Sequence, residues 1–169
     1  DEIIKVSAKT GVGIDSLVEA IIDRVPPPKK VNDKLKCLIF DSYFDSYRGV
    51  VILVRVVSGK ITKKTKIKMM TTGDSYEVVS LGYHTPFEKE VDELNEGEVG
   101  FITASIKSLS SVQVGDTITD AEDPSLTPLP GYKQMKPMVY CGIYPIESNK
   151  YPALKEAIEK LKLNDAALT

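Results

Sequence analysis

The chain has 169 residues, 42% of them hydrophobic and 27% charged, and its formal net charge is -2. This composition is typical of a folded globular protein and excludes an intrinsically disordered chain, while the near-neutral charge argues against nonspecific nucleic-acid binding without excluding a local basic patch. No apolar run approaches the ~18 residues of a membrane span, and the opening Asp1-Glu2 lacks the character of a secretory signal, so we expect a soluble protein.

The first predicted elements are a strand end at residues 3–6, the small-residue loop SAKTGVG at residues 7–13, and a helix. Six apolar residues recur at the spacing of one helical face: Ile14, Leu17, Val18, Ile21, Ile22 and Val25. Pro26-Pro27-Pro28 ends the helix, since proline supplies no amide donor and clashes with the preceding turn. The few residues before the helix cannot cover its apolar face, so we predict that residues 1–28 end a larger domain.

A linker and a β-barrel are predicted next. The proline triplet and the polar residues after it indicate a stiff linker at residues 29–34. Residues 35–120 then carry short strand patterns, at residues 50–57, 66–70, 76–83, 99–106 and 117–119. The densest pattern, residues 50–57, follows Arg48-Gly49, and its β-branched residues predict a strand buried on both faces. Short strands at this spacing are typical of a barrel or sandwich.

The last part of the chain predicts a second linker and an incomplete domain. Residues 121–135 are rich in Pro, Asp and Ser, as linkers are. Residues 136–169 contain a strand pattern, MVYCGIYPI, and a helix pattern, PALKEAIEKL, whose packing partners are missing from the sequence. Cys37 and Cys141 both lie in strand patterns, so we predict buried free thiols rather than a disulfide or metal ligands.

The sequence shows no catalytic or metal-binding constellation. The phosphate-binding pattern Gly-x-x-x-x-Gly-Lys-Ser/Thr is absent, and the single histidine, His84, has no neighbouring cysteine or second histidine. We interpret His84 as a strand-end or turn residue. The carboxylates between residues 88 and 98 are typical of a solvated acidic face rather than of an acid/base pair.

A group of lysines is the strongest candidate for binding phosphates. Lys64, Lys66 and Lys68 alternate along a predicted strand and should project to one face, with Lys60 and Lys63 in the turn at its end. Lysines on an edge strand also prevent edge-to-edge aggregation, which is the alternative interpretation. Arg48, on a neighbouring segment, makes a ribophosphate contact more plausible.

Taken together, these segments resemble a translational GTPase of the LepA type. KVSAKTGVGIDSLVEAIIDRVPPP resembles the last nucleotide-binding loop and final helix of such GTPases, and FDSYFDSYRGVVILVRVVSGKI with NEGEVGFITASIK resembles their second-domain barrel. The DSYFDSYRGVV block and the LNDAALT ending are similar to LepA in particular. The implied fold is mainly β: a translation-factor barrel flanked by the α/β tail of a GTP-binding domain and by the first strand and helix of an α+β, ferredoxin-like domain.

The resemblance also implies a role for the loop at Ser7, Ala8 and Lys9. From the residues alone, this loop is either an ordinary strand-to-helix connection or one that offers amides to a ligand. By resemblance, Ala8 would donate its backbone amide to the guanine carbonyl oxygen, Ser7 would brace the neighbouring base-recognition loop, and Lys9 would line the base pocket. GTP and Mg²⁺ would be cofactors of the full-length parent, and none is expected to bind this chain alone.

The implied activity is that of a ribosome-associated, GTP-hydrolysing elongation factor that promotes back-translocation. The phosphate loop and magnesium-binding residues lie outside this chain, so we expect it to be inactive alone. Arg48 and the lysines would contact small-subunit RNA, with no role for DNA. We expect a cytoplasmic protein; peripheral membrane association and an organelle form stay open. The alternatives are a non-enzymatic barrel that binds RNA or protein, and a factor of the elongation factor G or BipA type. Exposed apolar helix faces would favour self-association.

Overall fold

The computed structural model describes residues 3–29, 31, 33–106, 111–125, 127–131, 138–163, 165 and 168. Within them, the helices are α1 (Ile14–Arg24) and α2 (Tyr151–Leu161), the latter preceded by a 3₁₀ turn at Ser148–Lys150. The strands are β1 (Lys36–Asp45), β2 (Gly49–Ser58), β3 (Lys60–Thr62), β4 (Lys66–Met69), β5 (Ser75–His84), β6 (Glu88–Glu90), β7 (Glu93–Asn95), β8 (Val99–Ala104) and β9 (Thr117–Asp120).

The strands between residues 36 and 120 form a closed β-barrel, as the sequence predicted. The larger sheet has the order β4-β9-β1-β2-β8-β5-β6, and an additional β4–β5 pairing joins its two sides. All these pairings are antiparallel, and β3 pairs separately with β7. Closure leaves fewer unpaired strand edges, so the barrel buries its polar backbone without help from a neighbouring sheet.

The core is built from β-branched and aliphatic side chains that point into the barrel. Fully buried members include Ile39, Ile52, Ile67, Leu81 and Ile102. Each such side chain contributes about 1.5–3 kcal/mol relative to an exposed position. β2 is buried on both faces only over residues 50–52; beyond them burial alternates, and Arg55 is exposed.

Two glycines allow strands to approach closely. A Cβ on Gly82 would lie 2.2 Å from the Lys89 carbonyl oxygen, and a Cβ on Gly100 would lie 2.3 Å from the Gly82 carbonyl oxygen. Neither distance is sterically possible without moving backbone. The β8–β5–β6 part of the barrel therefore depends on glycine at both positions.

Two predicted strands are absent from the described residues. Residues 3–6 and 138–146 are not strands, although both carry apolar side chains. A strand needs a partner for its backbone hydrogen bonds, and no partner pairs with either segment in the described part of the chain. Met138, Tyr140 and Tyr144 are consequently exposed.

The two cysteines differ in burial, because only one of them lies in a paired strand. Cys37 is buried in β1, and desolvation raises its thiol pKa to about 12, which confirms the prediction for this residue. Cys141 is exposed, so its predicted burial is wrong. Among the described residues no second layer covers its segment, and an apolar sequence pattern cannot bury a side chain without one.

The segments that flank the barrel make unequal contact with it. α1 has no buried residue, and Val18 and Ile21 on its apolar face are half exposed. The linker before β1 is held by the Ser58 hydroxyl, which donates a hydrogen bond to the Lys34 carbonyl oxygen at 2.6 Å. Leu163, just after α2, enters the buried core. The end of α2 therefore contacts the barrel, contrary to the prediction that this helix lacks packing partners. Neither helix is long and apolar enough to cross a bilayer; this holds for every helix in the described ranges.

Candidate functional site

The loop at residues 7–13 is a compact turn closed by its own backbone. The Ser7 amide donates to the Val12 carbonyl oxygen at 3.0 Å, and the Gly11 amide donates to the Ser7 carbonyl oxygen at 2.8 Å. The Thr10 amide also lies 3.4 Å from the Ser7 hydroxyl oxygen. Ser7 is half-buried, whereas Ala8 and Lys9 are exposed. The loop therefore presents the Ala8 backbone and the Lys9 side chain outward.

Gly13 fixes where this loop meets α1. Its φ is +74°, in the left-handed region, and a Cβ there would lie 2.3 Å from the Lys5 carbonyl oxygen. The Leu17 amide donates to the Gly13 carbonyl oxygen at 3.1 Å, which starts the helix. Only glycine satisfies both the backbone angle and the close approach. The position of the 7–9 segment relative to α1 thus depends on this residue.

The predicted lysine face is less regular than the sequence pattern indicated. Lys64 lies in the turn between β3 and β4 with a φ of +68°, so it is outside the strand. The predicted alternation along one strand therefore holds only for Lys66 and Lys68, and Lys60 begins β3. A left-handed turn residue cannot continue the pleat, which is why the alternation stops at Lys66.

Most of these lysines face carboxylates. The ion pairs are Lys60 with Glu93 at 3.3 Å, Lys63 with Glu90 at 3.6 Å and with Asp92 at 3.5 Å, and Lys66 with Glu122 at 3.3 Å. The acidic residues predicted to form a solvated face supply three of these four partners. Exposed pairs of this kind contribute ~0–1 kcal/mol each, so an incoming phosphate can displace the carboxylates.

Arg48 is the centre of a denser cluster at the other end of β5. Its guanidinium donates to both carboxylate oxygens of Glu88, at 2.6 and 3.0 Å, and lies 3.4 Å from Asp45. The Tyr43 hydroxyl donates to Glu88 at 3.3 Å. The Arg48 guanidinium carbon also lies 5.7 Å from the centre of the buried Phe101 ring. Arg48 is thus held in one orientation by several contacts.

These contacts shift the ionisation of the cluster. Hydrogen bonds from Arg48 hold the pKa of Glu88 below its ordinary value, and the same bonds raise the pKa of Arg48. The backbone amides of Arg48 and Tyr47 lower the pKa of Asp45. Partial burial, then the charge on Glu88, raises the pKa of the Tyr43 hydroxyl. The charges at this end of the barrel consequently persist across the neutral range.

His84 lies at the end of a strand, next to a buried aromatic ring. It is the last residue of β5, as predicted, and its ring centre lies 5.4 Å from that of Phe101. Over the described ranges, no group of three or more histidine, cysteine, aspartate or glutamate residues could hold a metal ion.

Sequence reasoning missed the partner of Arg48. Arg48 and Glu88 are 40 positions apart and lie on the turn between β1 and β2 and on β6. The sequence signal available was a lone arginine at the end of a strand pattern and a carboxylate in an acidic run. Neither signal specifies the other, because the barrel's register decides which residues meet.

Comparison with known proteins identifies similar chains. Residues 49–119 match the family model of Elongation factor Tu domain 2. The chain is 53% identical over 168 residues to Elongation factor 4 of Desulfitobacterium hafniense and 52% identical over 168 residues to that of Geobacillus thermodenitrificans. Each comparison covers 99% of this chain and 28% of the relative, so the chain spans just over a quarter of the length of these curated relatives.

A solved structure supports the fold. The crystal structure of a bacterial selenocysteine-specific elongation factor, EF-Sec, superposes with a TM-score of 0.60 at 22% identity. The superposition covers 72% of this chain and 21% of that one. At this identity the similarity shows a shared architecture and nothing about the ligand.

Proposed function

Because this chain belongs to the Elongation factor 4, or LepA-type, family of translation elongation factors, we propose that it forms the barrel segment of a ribosome-associated GTPase that acts in protein synthesis. The observation that carries the proposal is identity of about half over nearly the whole chain, which includes the 7–13 loop, the barrel and the α2 segment. The same relatives favour the LepA type over the elongation factor G and BipA types. We extend the proposal to back-translocation in the cytoplasm.

In this proposal, the 7–9 segment reads the guanine base. The Ala8 amide donates to the guanine carbonyl oxygen, an acceptor that adenine lacks, so one backbone donor discriminates between the two bases. Two features support this role: Ala8 is exposed, and within the described residues its amide makes no hydrogen bond. Ser7 braces the neighbouring base-recognition loop and Lys9 lines the base pocket.

GTP hydrolysis requires more than this chain contains. GTP with Mg²⁺ supplies the phosphoryl group and the charge neutralisation for its transfer. The sequence lacks a Gly-x-x-x-x-Gly-Lys-Ser/Thr motif, so we assign the phosphates and the metal to other parts of a longer protein. The chain alone should neither bind GTP tightly nor hydrolyse it, and tight, guanine-specific binding in a calorimeter would contradict this.

We further propose that the basic residues of the barrel contact ribosomal RNA. The candidates are Arg48, Lys60, Lys63, Lys64, Lys66 and Lys68. Lys64 supports the idea most directly, since its side chain is exposed on a turn and has no ion pair within the described ranges. The paired lysines exchange exposed carboxylates for phosphates, with release of counterions from the RNA. Arg48 is held more firmly, by its two hydrogen bonds to Glu88. We therefore expect Arg48 to contact RNA while it keeps its pairing with Glu88.

The test uses a full-length Elongation factor 4 carrying this segment, purified ribosomes and a non-hydrolysable GTP analogue. Reversal of charge at Lys64, Lys66 and Lys68 should weaken ribosome binding by roughly tenfold and reduce its salt dependence. The matched control reverses three lysines outside the barrel: Lys29, Lys150 and Lys155. Equal effects of both triple variants would refute the lysine surface, and absence of ribosome-stimulated GTP hydrolysis in the unmodified protein would refute the proposed function itself.

A further inference from the structure

The end of α2 is attached to the barrel by the second residue after the helix. Leu163 is only 3% exposed and belongs to the same buried cluster as Ile39 and Ile52. Leu161, on the helix itself, is 54% exposed. Leu154 and Ile158, on the same apolar stripe, are partly buried. The contact with the barrel is therefore tightest at the C-terminal end of the helix.

Two polar contacts make this docking specific. The buried Ser42 hydroxyl donates a hydrogen bond to the Leu163 carbonyl oxygen at 2.9 Å. The Lys160 ammonium lies 4.4 Å from the centre of the Phe44 ring. A buried hydroxyl requires a partner, so Ser42 favours the docked position of Leu163 over a shifted one.

The strand that receives α2 also builds the Arg48 cluster. Ser42 and Phe44 contact the end of α2, whereas Tyr43 and Asp45 contact the Arg48 and Glu88 pair. Successive side chains of a strand point to opposite faces. The last four residues of β1 are therefore held on one face by α2 and on the other by the cluster.

We propose that the end of α2 is a latch that sets the geometry of the turn between β1 and β2, and with it the Arg48 site. When α2 docks, Ser42 and Phe44 are fixed in position. The turn at residues 46–48 then begins from a strand end that does not move. When α2 leaves, residues 41–45 lose the contacts on one face and the turn loosens. The latch is reversible because it rests on one leucine and two further contacts, and small contact sets open locally without global unfolding.

The inference rests on the proposed function only in giving Arg48 a role on the ribosome. If Arg48 contacts RNA there, the position of α2 tunes that contact. The physical link between α2 and the turn is measurable without ribosomes or nucleotide, so the two proposals fail separately.

The experiment is hydrogen exchange by mass spectrometry on a full-length Elongation factor 4 carrying this segment. The variants are Leu163→Ala and Ser42→Ala, and the matched control is Leu161→Ala, which truncates an exposed leucine two residues away. Both variants should raise amide exchange in α2 and in residues 41–49 by tenfold or more, while β8 keeps its protection. The control should leave all three segments unchanged.

Other outcomes overturn the proposal. Faster exchange in α2 alone would show that the latch opens without affecting the turn, and unchanged exchange in both segments would show that no latch exists. If Leu163→Ala raises exchange across every strand, the barrel itself has unfolded, and the milder Ser42→Ala variant then decides between these outcomes.

Discussion

The Arg48 and Glu88 pair should stabilise the barrel measurably, and its coupling energy can be worked out from the geometry. Two charge-assisted hydrogen bonds in a buried site would contribute ~1.5–3 kcal/mol each. The two side chains are 32% and 36% exposed, and fully exposed pairs contribute only ~0.2–1 kcal/mol. The bidentate geometry favours the upper part of that range, so we expect a coupling of about 1 kcal/mol.

A double-mutant cycle in urea measures this coupling. Arg48→Met keeps an aliphatic stem over Phe101, and Glu88→Gln keeps the shape of the carboxylate. With a urea slope of ~1–3 kcal/mol/M for a domain of this size, the coupling corresponds to a midpoint change of roughly 0.3–1 M. The control cycle uses Lys150 and Glu147, an exposed pair at 3.2 Å, which should couple by less than ~0.3 kcal/mol.

The pH dependence of the cycle checks the same reasoning. The pKa of Glu88 is lower in the folded protein than the ordinary glutamate value of 4.5. The unfolded state therefore takes up a proton first as the pH falls, and the stability from this pair is complete above about pH 4.5 and is lost as the pH falls through the folded pKa. A coupling at pH 7 no larger than in the control cycle, or one that persists after Glu88 is protonated, would refute this account.

Three further predictions concern glycines and cysteines. Gly13→Ala in a full-length Elongation factor 4 should weaken guanine-nucleotide binding at least tenfold, because the new Cβ displaces the Lys5 backbone. The control, Gly11→Ala, has a similar φ but open space around the new Cβ, so it should weaken binding less. Equal losses of affinity in calorimetry would contradict the steric argument. Gly82→Ala should lower the free energy of unfolding by more than ~2 kcal/mol, against ~1 kcal/mol for Gly73→Ala in open space, as urea denaturation would show. Iodoacetamide at pH 8 should alkylate Cys141 and spare Cys37 until the barrel unfolds; early mass-spectrometric labelling of Cys37 would show that the barrel opens more readily than its core indicates.

The barrel was predictable because its signals are local. The β-branched run at residues 50–57 and the glycine-containing turns after it indicate strand and turn types without knowledge of their partners. The structure and the relatives confirm both the barrel and the resemblance to LepA-type factors. The division into domains at residues 28, 34, 120 and 135 stays a prediction.

The errors fall where a residue depends on distant partners. The apolar pattern around Cys141 predicted burial, but in the part of the chain that the structure describes, no second layer covers that segment. The lysine alternation was broken at Lys64 by a left-handed turn that a two-residue period does not reveal. The helix pattern at residues 152–161 gave no sign that Leu163 packs into the buried core and accepts a hydrogen bond from Ser42 of β1.

The sequence by itself determined the two helices and the longer barrel strands, since helical and strand periodicities and proline breaks act within a few residues. Only the tertiary structure decided that Arg48 meets Glu88, that Gly82 must have no side chain, and that Leu163 joins the core. These outcomes depend on barrel closure and strand register, which bring together groups 40 to 121 positions apart in the chain. Contacts at that separation are selected by the free energy of the whole fold, and no local pattern encodes them.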